Sequence, residues 1–186
     1  MHRWAILISV ALAGLLASGC RKDSGTDPSG ATQAIEALLV RNNEIAGWSF
    51  SGSQWVASSV SELTTYIDGM ADIYQRHGFV EAAHQDYQGS VNSRSVMLRL
   101  TVNNQGTSAN AADLYADTDL GFSGAIDWTG GAGEAAHYVR NAGLSQMLAF
   151  RRGAYVVLLE IGADSDESLN VLKTFALNVD GKIRNG

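Results

Sequence analysis

The sequence contains very little cysteine and proline. Among its 186 residues there is one cysteine, Cys20, and one proline, Pro28. A chain with a single cysteine cannot form an internal disulfide, so the folded part must take its stability from a hydrophobic core.

Long apolar runs are also missing. The longest uncharged N-terminal stretch, Trp4 to Gly19, has 16 residues, fewer than the roughly 20 that a membrane-spanning helix needs. Because it follows the basic start Met1-His2-Arg3, it is typical of a secretory signal peptide covering residues 1–19.

The end of this segment, Leu16-Ala17-Ser18-Gly19-Cys20, resembles the lipobox of bacterial lipoproteins. The resemblance implies cleavage before Cys20 and lipid on its thiol, so that the membrane is a partner through this anchor. It also implies the outer membrane in a Gram-negative cell, since Arg21 takes the place of the Asp that retains lipoproteins in enteric inner membranes. The alternative is an ordinary cleavage site followed by a free thiol.

Positive charge is scarce. Without residues 1–19 the chain has 12 basic and 19 acidic residues, a net charge of −7. Such a chain repels phosphate backbones, which excludes nucleic acid as a partner. Arg99, Arg140 and Arg151 lie on predicted strands, where they either form one surface for a small anionic ligand or keep exposed strands soluble.

The hydrophobic pattern predicts a flexible tether over residues 20–31 and a single α+β domain over residues 32–183. The domain is expected to be an antiparallel β-sheet with helices packed mainly on one face. Helices are predicted over 32–41, 60–77, 108–117 and from 164 onward, and strands over 79–87, 95–102, 135–140, 144–151 and 154–162. The helix over 60–77 is expected to begin with a capping box of Ser59 and Glu62 and to end at Gly78, and Ser108 is expected to cap the next helix. In the strand 95–102, Val96, Leu98, Leu100 and Val102 should point inward and Arg99 and Thr101 outward. The last helix should bury Leu169, Leu172, Phe175, Ala176 and Val179. Residues 48–56 fit either an edge strand or an aromatic loop, and 121–133 should be a loop.

The stretch from Leu63 to Tyr74, which contains Tyr66-Ile67-Asp68-Gly69, followed by Gly78-Phe79, resembles a motif of an uncharacterised family of exported bacterial proteins. Gly47-Trp48 and the segment Ala109–Tyr115 are further points of similarity. The family has no assigned function, so the resemblance supports the predicted fold and leaves the activity open.

No catalytic or cofactor signature has its required context. Gly131-Ala132-Gly133 follows a loop instead of a strand, which argues against dinucleotide binding. The acidic runs 117–119 and 164–167 lack the Gly and Glu of a calcium loop, although an irregular calcium site stays an alternative. His77, His84 and His137 have no zinc-like spacing. We therefore expect no cofactor, no metal and no catalytic residue.

These observations favour a non-enzymatic envelope lipoprotein that binds an envelope protein or a small anionic ligand. The alternative is an extracytoplasmic hydrolase with an acid/base cleft near Tyr66, Asp68 and Trp128. The candidate residues are Cys20 for lipidation and, for ligand or partner contact, Trp48, Tyr66, Asp68, Arg99, Trp128, Arg140 and Arg151.

Overall fold

The structure, a computed structural model, describes residues 33–186. The predicted signal peptide, Cys20 and nearly all of the tether therefore lie outside the described residues. Seven strands pair antiparallel in one sheet with the order β1-β2-β3-β7-β6-β5-β4. They are β1 Ser49–Ala57, β2 Glu81–Val91, β3 Arg94–Asn104, β4 Ile126–Asp127, β5 Ala135–Asn141, β6 Ser145–Arg152 and β7 Tyr155–Ile161.

Four α-helices pack against this sheet, which confirms the predicted α+β class and the antiparallel sheet. They are α1 Val60–Ile67, α2 Ala71–Arg76, α3 Ser108–Tyr115 and α4 Asp166–Asn185, and two short 3-10 turns cover Ile35–Leu38 and Thr118–Leu120.

The helices are distributed over both faces of the sheet. On the first face, α4 packs over Ala83 and Val157, whereas α1, α2 and α3 pack over their neighbours Ala82 and Val156 on the second. Successive strand residues point to opposite faces. The central strand β7, with Val156, Val157, Leu158 and Leu159 in a row, is apolar on both faces and so requires cover on both.

The first face carries the larger core. Of the predicted inward residues of β3, Leu98, Leu100 and Val102 are fully buried, and Val96 is half-buried against the same core. The predicted stripe of the last helix is buried against them, and it consists of Leu169, Leu172, Phe175, Ala176 and Val179. Alternation in the strand and three-to-four spacing in the helix therefore located this core correctly.

The helix predicted over 60–77 is broken in two. Ser59 caps its start as predicted, accepting a hydrogen bond from the Glu62 amide at 3.2 Å, and Gly78 ends it with φ +73°. Between them, Gly69 adopts φ +72° and Asp68 φ +21°, so the chain leaves the right-handed helical region after Ile67. Glycine enters that conformation at no steric cost, which explains a break inside an otherwise periodic pattern.

Other boundaries differ locally. The helix predicted over 32–41 is only the 3-10 turn Ile35–Leu38, because Leu38, Leu39 and Val40 are buried in succession, which one face of a helix cannot achieve. Thr107, not Ser108, caps α3 by accepting from the Asn110 amide at 3.1 Å. Residues 48–56, left undecided by the sequence, form mainly the edge strand β1.

Candidate functional site

Half of the second face has no helix over it in the part of the chain that the structure describes. There, Arg99, Glu160 and Met147 stand directly opposite one another on β3, β7 and β6. Asp86 of β2 continues this row at its border, where it is only 6% exposed. Met97 precedes Arg99 by two residues on the same face and is 38% exposed. We call the side chains of Arg99, Glu160, Met147 and Met97 the open half of the second face.

A hydrogen-bonded network borders the open half. The two ring nitrogens of His84 lie 2.9 Å from Thr101 Oγ1 and 2.9 Å from Asp86 Oδ1. The second oxygen of Asp86 accepts from the Ser53 amide at 2.9 Å, where β1 bulges away from β2. The Asp86 carboxylate thus accepts a hydrogen bond from the irregular edge strand β1, and it also orients the buried ring of His84.

An aromatic stack continues from this network to the edge of the sheet. Trp55 lies flat against His84, with ring centroids 5.0 Å apart, and Tyr66 lies flat against Trp55 at 4.8 Å. Tyr66 belongs to α1, so the stack joins the first helix to strands β1 and β2. Because Tyr66 stays 48% exposed, its ring is available to a partner.

A second histidine occupies the other end of the same cross-sheet row. The pairing runs through Trp55, His84, Thr101, Leu158, Ala149 and His137. His137 is stacked on Tyr115 at 4.3 Å and packs against Phe122 at 4.6 Å, and its Nε2 is buried without a hydrogen-bond partner. The row therefore has a histidine stacked on an aromatic ring near each end.

Burial lowers the pKa of both His84 and His137 below 6.5, because both rings are taken out of water. The unfolded chain therefore binds more protons than the folded chain as the pH falls below about 6.5. We expect the free energy of unfolding to fall between about pH 7 and pH 5.5, by up to about 1.4 kcal/mol per pH unit for each histidine.

Urea unfolding at a series of pH values measures this slope. The variant His137→Gln, which has no ring to protonate, should show about half the slope. Hydrogen bonds from His77 and from the Asp119 amide lower the pKa of Asp117 to about 2. Carboxylates of this kind therefore lose their contribution to the free energy of unfolding only at more acidic pH. Equal stability at both ends of this range would contradict the prediction.

Two of the predicted contact residues are tryptophans that pack against other parts of the domain. Trp48 is 5% exposed and packs edge-on against Phe175 in the first-face core, so it is not a surface contact. Trp128 is half-buried, with Lys173 Nζ 5.2 Å from its ring centre. A Cβ at Gly131 would overlap the Trp128 ring, so the glycine-rich loop packs onto this tryptophan.

The three predicted arginines do not form one cationic surface. Arg99 binds Glu160 at 3.2 Å, Arg140 binds Asp164 and Asp166 at 2.9 Å each, and Arg151 binds Glu134 at 2.5 Å. Arg140 alternates with inward Tyr138 and reaches the start of α4, whereas Arg99 lies on the second face. Each guanidinium is already neutralised by a carboxylate.

Tyr66, Asp68 and Trp128 do not line one cleft. Tyr66 stacks on β1 at one edge of the sheet, and Asp68 is exposed two residues later at the helix break. Trp128 follows β4 at the opposite edge and packs against the first-face core. The cleft of the hydrolase hypothesis is therefore not formed by these residues.

The acidic runs are engaged by protein groups. Asp117 is bonded to Arg76 at 2.9 Å and to His77 at 2.6 Å, and Asp164 accepts from Arg140, Gln146 and the Gly143 amide. Within residues 33–186 no three His, Cys, Asp or Glu side chains come together as a metal site. None of the helices there is both long enough and apolar enough to cross a membrane.

The sequence reasoning missed Trp55, Asp86 and Thr101, and treated His84 only as a failed metal ligand. One signal was available, since His84 and Asp86 are two apart on a predicted strand and must share a face. Thr101 also was predicted to point outward. Trp55, His84 and Thr101 come together only because of the register in which β1, β2 and β3 pair, and no local sequence pattern predicts that register.

Comparison of the chain with protein-family models, with curated proteins and with solved structures finds no match.

Proposed function

We propose that this protein is a lipid-anchored envelope protein whose domain is a non-enzymatic binding module for a partner protein. The observation that carries the proposal is the open half of the second face. An antiparallel sheet can leave one face to solvent, but here Met97 and Met147 stand on it beside Arg99 and Glu160. Flexible methionines beside charged groups are typical of protein-contact surfaces.

The charges favour a protein over a small anionic ligand. On the open half the guanidinium of Arg99 is already bound to the carboxylate of Glu160, at 3.2 Å. Residues 33–186 contain 17 acidic and 10 basic side chains. An anion would meet a surface of its own sign, whereas a partner protein with a net positive contact surface would be attracted.

The array of Thr101, His84 and Asp86 resembles the order of nucleophile, base and acid in hydrolases. Its surroundings favour binding instead. Thr101 lies inside β3, which is flanked by β2 and β7 along this stretch, so the neighbouring amides are used in the sheet. An oxyanion needs free amide or side-chain donors near the nucleophile, and this strand position supplies no amides for that purpose.

The test is site-specific crosslinking in cells. A photoreactive residue placed at Met97 should capture a discrete partner protein, whereas the same residue at Leu177 should not. Leu177 is 50% exposed on α4, the helix of the first face, and so serves as a matched surface control.

The affinity of the captured protein for the purified chain then tests whether the open half is the contact surface. Met147→Asp should weaken binding at least about tenfold, and Leu177→Asp should leave it unchanged. Binding should also weaken as salt is raised, since the surfaces have opposite charge. Equal capture at positions 97 and 177, or no loss with Met147→Asp, would overturn the proposal.

A further inference from the structure

A cavity lies at the β4–β5 edge of the sheet. It has a volume of about 380 Å³, is open to the surface, and is lined by Tyr115 of α3 and by residues 127–136, which include the glycine-rich loop. We call it the loop pocket. Its size is within the range of small-molecule sites, and it uses none of the residues of the open half.

The loop pocket contains one uncompensated charge. Asp127 is exposed at its wall, and within residues 33–186 no side chain donates a hydrogen bond or an ion pair to its carboxylate. Glu134, the other carboxylate, already binds Arg151 at 2.5 Å and the Gly153 amide at 3.1 Å. Among the residues that line the pocket, Asp127 is therefore the carboxylate left without a partner, while the Lys173 ammonium lies over the Trp128 ring, 5.2 Å from its centre.

Two aromatic side chains, Tyr115 and Trp128, line the same pocket. Tyr115 lines the pocket and stacks on His137, the residue directly opposite Asp127 in the sheet. Burial, and next the nearby Asp127, raise the pKa of Tyr115 to about 12, so the hydroxyl stays neutral and adds no second anion. A neutral tyrosine ring beside a free carboxylate is the chemistry that recognises an organic cation.

The glycine-rich loop packs closely against its neighbours. A Cβ at Gly133 would overlap the Arg151 carbonyl, and a Cβ at Gly131 would overlap the Trp128 ring, so the loop can pack this tightly only with glycine at both positions. At Gly130, by contrast, a Cβ would meet nothing within 4 Å. The glycines thus fix the rim against β6 and Trp128 and leave free space at the mouth.

We propose that the loop pocket binds a small organic cation carrying an ammonium group, with Asp127 as its counter-ion and the Tyr115 ring as its aromatic wall. An anionic ligand would be repelled by Asp127, and the nearest guanidinium, Arg151, is occupied by Glu134. The site binds its ligand without a covalent step.

Titration of the full-length protein with ethylammonium chloride and with tetramethylammonium chloride tests this site. The NMR signal of the Trp128 indole, assigned through the variant Trp128→Phe, should shift and saturate with both cations. Sodium chloride and sodium acetate at equal ionic strength should produce no saturable shift. The indole signals of Trp48 and Trp55 report that the fold is unchanged.

The charge of Asp127 is the deciding element. Asp127→Asn should weaken binding at least about tenfold, because it removes the counter-ion and retains the shape of the side chain. Asp68→Asn is the matched control, since asparagine also tolerates positive φ and this residue lies at the opposite edge of the sheet. No saturable shift in the natural protein, equal binding by Asp127→Asn, or an equal shift with acetate would overturn the proposal.

Discussion

Replacing Phe175 by alanine is expected to lower the free energy of unfolding by about 3–5 kcal/mol. Phe175 is fully buried in the first-face core. Its ring meets Trp48 and Tyr87 edge-on at centroid distances of 5.5 and 5.0 Å. Truncation removes both aromatic contacts and leaves a cavity beneath α4 that these large rings cannot readily fill.

Thermal and urea unfolding measure this effect, which for a domain of about 150 residues corresponds to a melting temperature lower by roughly 10 °C. Leu177→Ala, two residues further along the same helix, is the matched control. Leu177 is half exposed, so its loss should change stability by no more than about 0.5 kcal/mol. A loss below about 1 kcal/mol in Phe175→Ala would show that Trp48, Tyr87 and Phe175 do not form the centre of this core.

The sequence was most informative where a local period decides the structure. The alternation in β3 and the stripe of α4 correctly indicated which side chains are buried, because each follows from the geometry of a single element. The break at Gly69 was missed because apolar residues continue with helical spacing on both sides of it. One glycine at positive φ interrupts a helix without disturbing that spacing.

The candidate sites were harder to predict, because they depend on contacts between distant segments. Trp55 lies in a segment that fitted a strand or a loop, and only as an edge strand does it stand opposite His84. Arg99, Arg140 and Arg151 were correctly placed on strands, but their partners Glu160, Asp164 and Glu134 follow from tertiary packing. Spacing in one strand cannot show whether a charge is free or paired.

The lipid anchor is the proposal with the largest expected effect on the whole molecule. Cys20→Ser should abolish incorporation of labelled palmitate completely, since Cys20 is the only thiol in the chain. A single acyl chain holds a protein to a membrane only marginally, whereas several chains hold it firmly. Loss of the modified thiol should therefore move the protein from a firmly anchored form to an unlipidated one.

A variant with the thiol moved separates lipidation by position from general reactivity of a cysteine. In Cys20→Ser combined with Ser24→Cys, a thiol is present four residues further along, beyond the lipobox-like sequence. Recognition of that sequence predicts no label in this variant, although its thiol lies in the same polar segment. Label on the moved thiol, or label retained by Cys20→Ser, would contradict the anchor.

The fold should be unchanged in both variants, because both substitutions precede residue 33, where the described domain begins. The pH-dependent unfolding expected from His84 and His137 should then be the same with and without lipid, which makes it a direct check that anchoring and folding are independent.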